Sequence, residues 1–217
     1  MDVLNGNGSL ADRAYDLVER MIVTLELAPG TVFSESELSE RIGIGRTPLR
    51  EALQRLSSDR LVVSLPRRGM MVTAIDAAEY LALLETRRAL DRLVAARAST
   101  RGSDAQRATL REVASRIRAA AIRSDVDAFL RLDRSCDEVL HAAAGNPFAA
   151  RAARPLHAHC RRFWSRYHRN GDLGMSAELH ATILEAVAGG GEEAAATAAD
   201  ELVDYLERFT REALELV

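Results

Sequence analysis

Lysine is missing from this sequence: all 29 basic side chains are arginine. We assign that absence to a GC-rich coding sequence and give it no functional weight. Cysteine is nearly missing too. Cys136 and Cys160 stand alone, with no CxxC spacing, which argues against a cysteine metal site or a disulfide framework and for two free thiols in a reducing cytosol. Aromatic residues make up 5% of the chain while alanine is abundant, a bias that points to helices. No apolar run approaches the ~20 residues needed to cross a bilayer. The opening MDVLNGNGSLADR lacks the basic-then-apolar layout of a signal peptide. A cytoplasmic protein without membrane contact is therefore expected. The net charge of −3 does not by itself suggest a nucleic-acid partner.

What is present is ordinary in bulk and unusual locally. The 217 residues suit one large or two modest domains, and 47% hydrophobic with 28% charged residues is a globular composition. Residues 41–68 depart from the average. They hold seven arginines (41, 46, 50, 55, 60, 67, 68) against Glu51 and Asp59, and seven minus two leaves a local excess of +5.

Periodicity places a helix over about 11–27, with Ala14, Leu17, Val18, Met21 and Leu25 as its buried face and Ala28-Pro29-Gly30 as its stop. Ser34 and Glu37 have the spacing of a capping box and start a second helix that ends at Gly43. A third should start with Thr47 as N-cap and Pro48 at the first helical position, and run to about Ser58. Two β-favouring runs around Pro66-Arg67-Arg68-Gly69 read as a hairpin. Helix, helix, helix, hairpin within residues 1–75 is the layout of a winged helix-turn-helix DNA-binding domain.

In the third helix Leu49, Leu53 and Leu56 share one face, while Thr47, Arg50, Glu51 and Gln54 lie on the other and Arg46 sits just ahead. A helix entering the major groove presents its N-terminal residues to base edges, where arginine matches O6 and N7 of guanine. Its free N–H groups can hold a phosphate. Arg67 and Arg68 at the hairpin tip would reach a second part of the duplex, with Gly69 allowing close approach. The bland alternative is a solvated basic surface helix.

Over about residues 11–73 the chain resembles the DNA-binding domain of GntR-family bacterial transcription regulators. The resemblance rests on PG, then SESELSE, then G-R-T-P-x-R-E-A-L at 45–53, then P-x-R-G at 66–69. It assigns DNA contacts to Arg46, Thr47, Arg50, Arg68 and Gly69, to which the helical wheel adds Gln54. Two positions depart from the pattern. Gly45 stands where the family has Ser or Thr, which would remove one phosphate contact, and Arg60 stands where it has Gly, which would change the bend into the wing.

Residues 76–217 read as almost wholly helical, with helices at about 76–100, 103–123, 125–144, 147–169, 175–188 and 192–215. Short breaks at Arg101-Gly102-Ser103, Gly145-Asn146-Pro147, Asn170-Gly171 and Gly189-Gly190-Gly191 imply one antiparallel bundle of six to seven helices, so the whole chain is dominated by α structure. ETRRALDRLVAARA at 85–98, LDRSCDEVLHAAAGNP at 132–147 and ELHATILEAVAGG at 178–190 resemble the effector domain of the FadR/FCD branch of the family. That resemblance implies a homodimer that senses a small metabolite, often a carboxylate, and binds a pseudo-palindromic operator in double-stranded DNA.

Several polar residues fall on apolar stripes. Asp133 lies inward among Phe129, Leu132, Cys136 and Leu140, with Asp137 one turn on and His141 a turn beyond; His180 lies among Ser176, Ile183, Leu184 and Val187; Arg87 and Asp91 share a stripe with Leu84 and Val94. A carboxylate facing a core is costly unless it is paired or bound to metal. We therefore take Arg87, Asp133, Asp137 and His180 as candidate effector-binding residues. The family resemblance also implies one divalent metal (zinc, nickel or manganese) held by one Asp and three His. Asp133 and His180 match two of those positions, but Asp137 and Leu202 stand where the other two histidines would be. Asp133, Asp137 and His180 could form a reduced site, and His141, His157 or His159 could substitute, though no pattern places them in the pocket. The preferred expectation is a metal-free pocket in which Asp133 and Asp137 pair with Arg87 or another arginine. LHAHCRRFWSRYHR at 156–169 reads as bundle core and dimer surface with its charges on a solvated edge; His157 and His159, two apart, make a poor metal pair.

The function expected from all this is a ligand-responsive transcription regulator, not an enzyme. A metal-dependent helical enzyme using Asp133, Asp137 and His180, and a repressor that has lost effector control, are the alternatives.

Overall fold

The computed structural model describes residues 9–169 and 172–214. The stretch 1–8, the Asn170-Gly171 break and the last residues of the helix expected to end at 215 lie outside the described residues. The chain divides into two compact units, Met1–Ile75 and Asp76–Val217.

In the first unit, α1 (Leu10–Val23) starts from Ser9, whose hydroxyl accepts from the Asp12 N–H while the Asp12 carboxylate reaches back. The helix stops four residues before the expected Leu27, because Leu25 turns left-handed (φ 63°) and the Leu27 N–H bonds back to the Met21 carbonyl. Leu17 and Leu25 are only half-buried, and Tyr15 and Ile22 fill the core instead. α2 (Glu35–Ile42) has the capping box expected from Ser34 and Glu37 and ends at left-handed Gly43.

α3 spans Arg46–Ser58 and buries Leu49, Leu53 and Leu56 against α1. Each buried leucine contributes roughly 1.5–3 kcal/mol. Its N-cap is Gly45, not Thr47, and Pro48 is the third helical residue. The helix starts earlier because Gly45 is already extended (φ −60°, ψ 157°) and its carbonyl accepts from the Leu49 N–H. Gly45 has no side chain to cap with, so the first N–H groups of α3 stay open.

A short strand absent from the sequence reading, β1 (Val32–Phe33), joins β2 (Val62–Leu65) and β3 (Gly69–Val72) in an antiparallel sheet of order β1-β3-β2. β2 and β3 form the wing, with Leu65 opposite Gly69 and Pro66-Arg67-Arg68 at the turn. Arg60, at the family's glycine position, holds the left-handed conformation (φ 59°) such a position demands. The bend into the wing is therefore kept at a local backbone cost of about 1–2 kcal/mol.

The second unit is a bundle of α4 (Ala77–Arg101), α5 (Asp104–Ile122), α6 (Val126–Ala144), α7 (Pro147–Tyr167), α8 (Asp172–Gly189) and α9 (Glu192–Leu214). α5 lies antiparallel to α8: Arg107 bonds the Val187 carbonyl at one end and Arg118 bonds Glu178 at the other. α4 lies along α9, where Arg88 and Arg92 meet Asp200, Asp204 and Glu193. α6 and α7 supply the buried aromatic residues Phe129, Phe163 and Trp164.

Candidate functional site

The first unit presents a polar, cationic surface. Arg46, Thr47, Arg50 and Gln54 are exposed on α3, opposite its leucine stripe, and Arg67 and Arg68 are exposed at the wing tip. Arg46, Arg67 and Arg68 form no ion pair among the described residues. Arg50 is different: its Nε and a terminal nitrogen lie 3.1 and 2.8 Å from Glu35 Oε2 at the start of α2. Gly69 has a structural reason to be glycine besides any approach to a duplex. Its φ is +96°, and an added Cβ would stand 2.4 Å from the Phe33 carbonyl oxygen.

The second unit brings Arg87, Asp133, Asp137 and His180 to one place and adds three residues outside that candidate set: Asp91 and His157, which the sequence named without assigning them to the pocket, and Arg161. Together they form an alternating chain of cations and carboxylates. Arg87 Nε donates to Asp91 Oδ2 at 2.8 Å. Asp91 Oδ1 lies 2.7 Å from His157 Nε2. His157 Nδ1 lies 3.0 Å from Asp137 Oδ2, close enough for an ion pair though not aligned for a hydrogen bond. Arg161 donates to Asp137 Oδ2 at 2.5 Å and reaches 3.6 Å from Asp133 Oδ2. Asp133 Oδ1 faces His180 Nε2 at 3.0 Å, and His180 Nδ1 donates to the Ser176 carbonyl at 2.7 Å. Arg87, Asp133, His157 and Arg161 are buried.

Asp133 and Asp137 meet an arginine, as expected, and of the two alternatives it is not Arg87 but another, Arg161; Arg87 pairs with Asp91 one turn along α4. Arg161 and Arg162 are 7% and 3% exposed, so the charges of this part of α7 are interior and not on a solvated edge. The signal was available. Ala153, His157, Arg161 and Trp164 recur every three to four residues, so the apolar stripe of α7 passes through His157 and Arg161.

Burial alone would raise the Asp91 carboxyl, but His157 and Arg87 outweigh it and bring it down to about 2. Burial would lower His157; Asp137 and Asp91 reverse this and raise it to about 10. Burial likewise works against His180, which Asp133 and the Ser176 carbonyl hold above its ordinary value. Asp137 is held well below the carboxylate range, against burial, by His157 and Arg161, and Asp133 below it by His180 and Arg161. His141 stacks on His157 at 5.5 Å, and burial keeps it below its ordinary value.

A stability profile follows from these signs. The raised His157 and His180 contribute fully below pH 6.5, and His157's share is lost as pH rises toward about 10. The lowered Asp91 contributes above its ordinary 3.8 and loses its share as pH falls toward about 2, while His141 works against the fold once it is forced to charge below 6.5. The melting temperature of the second unit should peak near pH 6.5. His157→Asn should flatten the alkaline limb, and an unchanged limb would assign it elsewhere.

The small cleft beside this chain is lined by the polar side chains Arg87, Asp137, His141, His157 and His180 and by the apolar side chains Leu140, Ile183, Leu184 and Leu202. A divalent metal does not fit the donors. The Asp133 and Asp137 carboxylates already face Arg161 and an imidazole each. Both nitrogens of His180 are engaged, and Leu202, which lines the cleft, offers no donor atom. Among the described residues no three His, Cys, Asp or Glu side chains converge as metal ligands.

Comparison with known proteins sets this arrangement in context. Residues 10–72 match the family model "Bacterial regulatory proteins, gntR family", and residues 82–205 match the FCD domain. The HTH-type transcriptional repressor RspR of Escherichia coli (strain K12) is 32% identical over 137 residues, 63% of this chain and 60% of RspR. The match thus spans about three-fifths of that relative's length. Among solved structures, E. coli McbR/YncC superposes with a TM-score of 0.82 at 18% identity, covering 94% of this chain and 98% of the other. A putative transcriptional regulator GntR from Rhodococcus sp. RHA1 superposes at 0.71 and 21% identity, covering 97% and 100%. These likenesses show a shared fold. With one model matching its first unit and a second matching more than half its length, the chain belongs to the gntR family of bacterial regulatory proteins, in the branch that carries an FCD domain.

Proposed function

We propose that this chain is a ligand-responsive, DNA-binding transcription regulator that acts as a homodimer on a pseudo-palindromic operator, with a small acid bound in each bundle modulating DNA binding. The observation that carries the reading is the pairing, in one chain, of an arginine-tipped helix and wing with a buried ionic cleft. Arg46, Arg50 and Gln54 are the base-reading side chains, and the open N–H groups at the start of α3 take a phosphate together with Thr47. Arg68 and Gly69 of the wing approach the neighbouring groove. In the bundle the chain of charges holds four cations (Arg87, His157, Arg161, His180) and three carboxylates (Asp91, Asp133, Asp137) and ends in a cation on both sides. With both imidazoles protonated the chain carries one positive charge in excess, which suits a carboxylate whose hydrocarbon portion lies against Leu140, Ile183 and Leu202. Effector and operator are then coupled reciprocally. Members of this family are regulators, which sets aside the enzyme alternative.

The test is selection of bound sequences from random duplexes, followed by affinity measurements on the enriched duplex and a scrambled one. Arg50→Ala should lose about 1–3 kcal/mol on the enriched duplex and far less on the scrambled one. Equal losses on both would reassign Arg50 to phosphate contact, and no enrichment at all would sink the DNA-binding reading. A panel of small carboxylates should include one that raises the melting temperature of wild type but not of Arg87→Met. A panel with no such acid would leave the effector-independent repressor as the better description.

A further inference from the structure

We propose that Arg161 is the resident cation of the bundle site, standing where a divalent metal would otherwise bridge Asp133 and Asp137, so that this chain needs no metal to complete its pocket. Asp133 and Asp137 sit one turn apart on the inner face of α6. Two carboxylates so placed repel each other, and burial magnifies the repulsion unless a cation lies between them. Arg161, brought in from α7, lies between them: one terminal nitrogen is 2.5 Å from Asp137 Oδ2 and 3.6 Å from Asp133 Oδ2. Its side chain is 7% exposed, so this is an interior cation and not a surface residue that happens to swing inward.

A guanidinium and a metal ion differ in what they permit. The arginine is covalently held and always charged, so it cannot be exchanged, chelated or titrated away. It also offers hydrogen-bond donors where a metal offers open coordination positions. A metal-centred pocket favours ligands that chelate through two oxygens. An arginine-centred one accepts a simple carboxylate with no second donor. The inference goes beyond the proposed regulatory function and does not depend on it, because it concerns only what cation the site holds.

The experiment uses the full chain, purified without a metal-affinity tag, as wild type and as Arg161→Met, which keeps an unbranched, flexible stem without the charged guanidinium. Each is dialysed against Zn(II) or Mn(II), analysed for metal content and melted with and without the ion. Wild type should hold no stoichiometric metal and show no shift. Arg161→Met should take up about one equivalent and gain roughly 5–11 °C at ~100 times the dissociation constant. Wild-type protein that binds one equivalent, lost in Asp133→Ala, overturns the proposal, and so does a folded Arg161→Met indifferent to metal. If Arg161→Met purifies unfolded, it is refolded with and without the ion. Recovery only with metal is the expected result, and recovery in neither overturns the proposal. None of these readouts involves DNA or an effector, so the two readings fail separately.

Discussion

Asp137→Ala is expected to cost the second unit about 3–5 kcal/mol. Asp137 holds two buried cations at once, Arg161 at 2.5 Å and His157 at 3.0 Å. Removing it does not merely delete two contacts. It leaves a guanidinium and an imidazolium inside the bundle with one carboxylate fewer, and an unpaired interior charge is what makes such losses large. The melting temperature should fall by roughly 6–20 °C. The comparison that gives the number meaning is Asp204→Ala. Asp204 pairs with Arg88 at 2.6 Å but is 54% exposed, so its loss should cost ~1 kcal/mol or less. If the two variants melt together, the interior chain of charges does not stabilise the bundle as described.

Gly69→Ala is expected to remove about 2–5 kcal/mol from the first unit, by adding a left-handed backbone cost to an overlap. Gly69 has φ +96°, and its Cβ would stand 2.4 Å from the backbone oxygen of Phe33, which is strand and not a flexible side-chain tip. β3 would have to move away from β1, breaking the pairing of Phe33 with Met70. A unit of this size has a total stability of roughly 4–11 kcal/mol, so the loss would be a large share of it. Calorimetry of the full chain should show one transition falling while the other holds. A first unit that melts as in wild type would mean that the wing glycine is there for DNA approach alone, as the sequence reading supposed.

Much of the fold was legible because it rests on local rules. Ser34 with Glu37 announces the start of α2 through its own hydrogen bonds, and the alternation of Leu49, Leu53 and Leu56 with polar residues gives α3 its two faces. The start of α3 lies two residues earlier than expected because Thr47 and Pro48 are stronger signals than Gly45, whose role is set by backbone angles alone. β1 went unseen because two residues carry no period; its partner strand defines it.

The candidate site divides in the same way. Sequence alone determined that Arg87, Asp91, Asp133, Asp137 and His180 lie on apolar stripes, since inward placement depends only on position along one helix. It also determined that two histidines expected of a metal-binding relative are absent, at Asp137 and Leu202. Which charge meets which was decided by the tertiary structure. Asp137 with Arg161 and Asp91 with His157 are 24 and 66 residues apart, and no spacing rule reaches across helices. The packing of α4, α6, α7 and α8 closes those distances to 2.5 and 2.7 Å, and only at such range does the Coulombic attraction between partners outweigh the cost of taking each of them out of water.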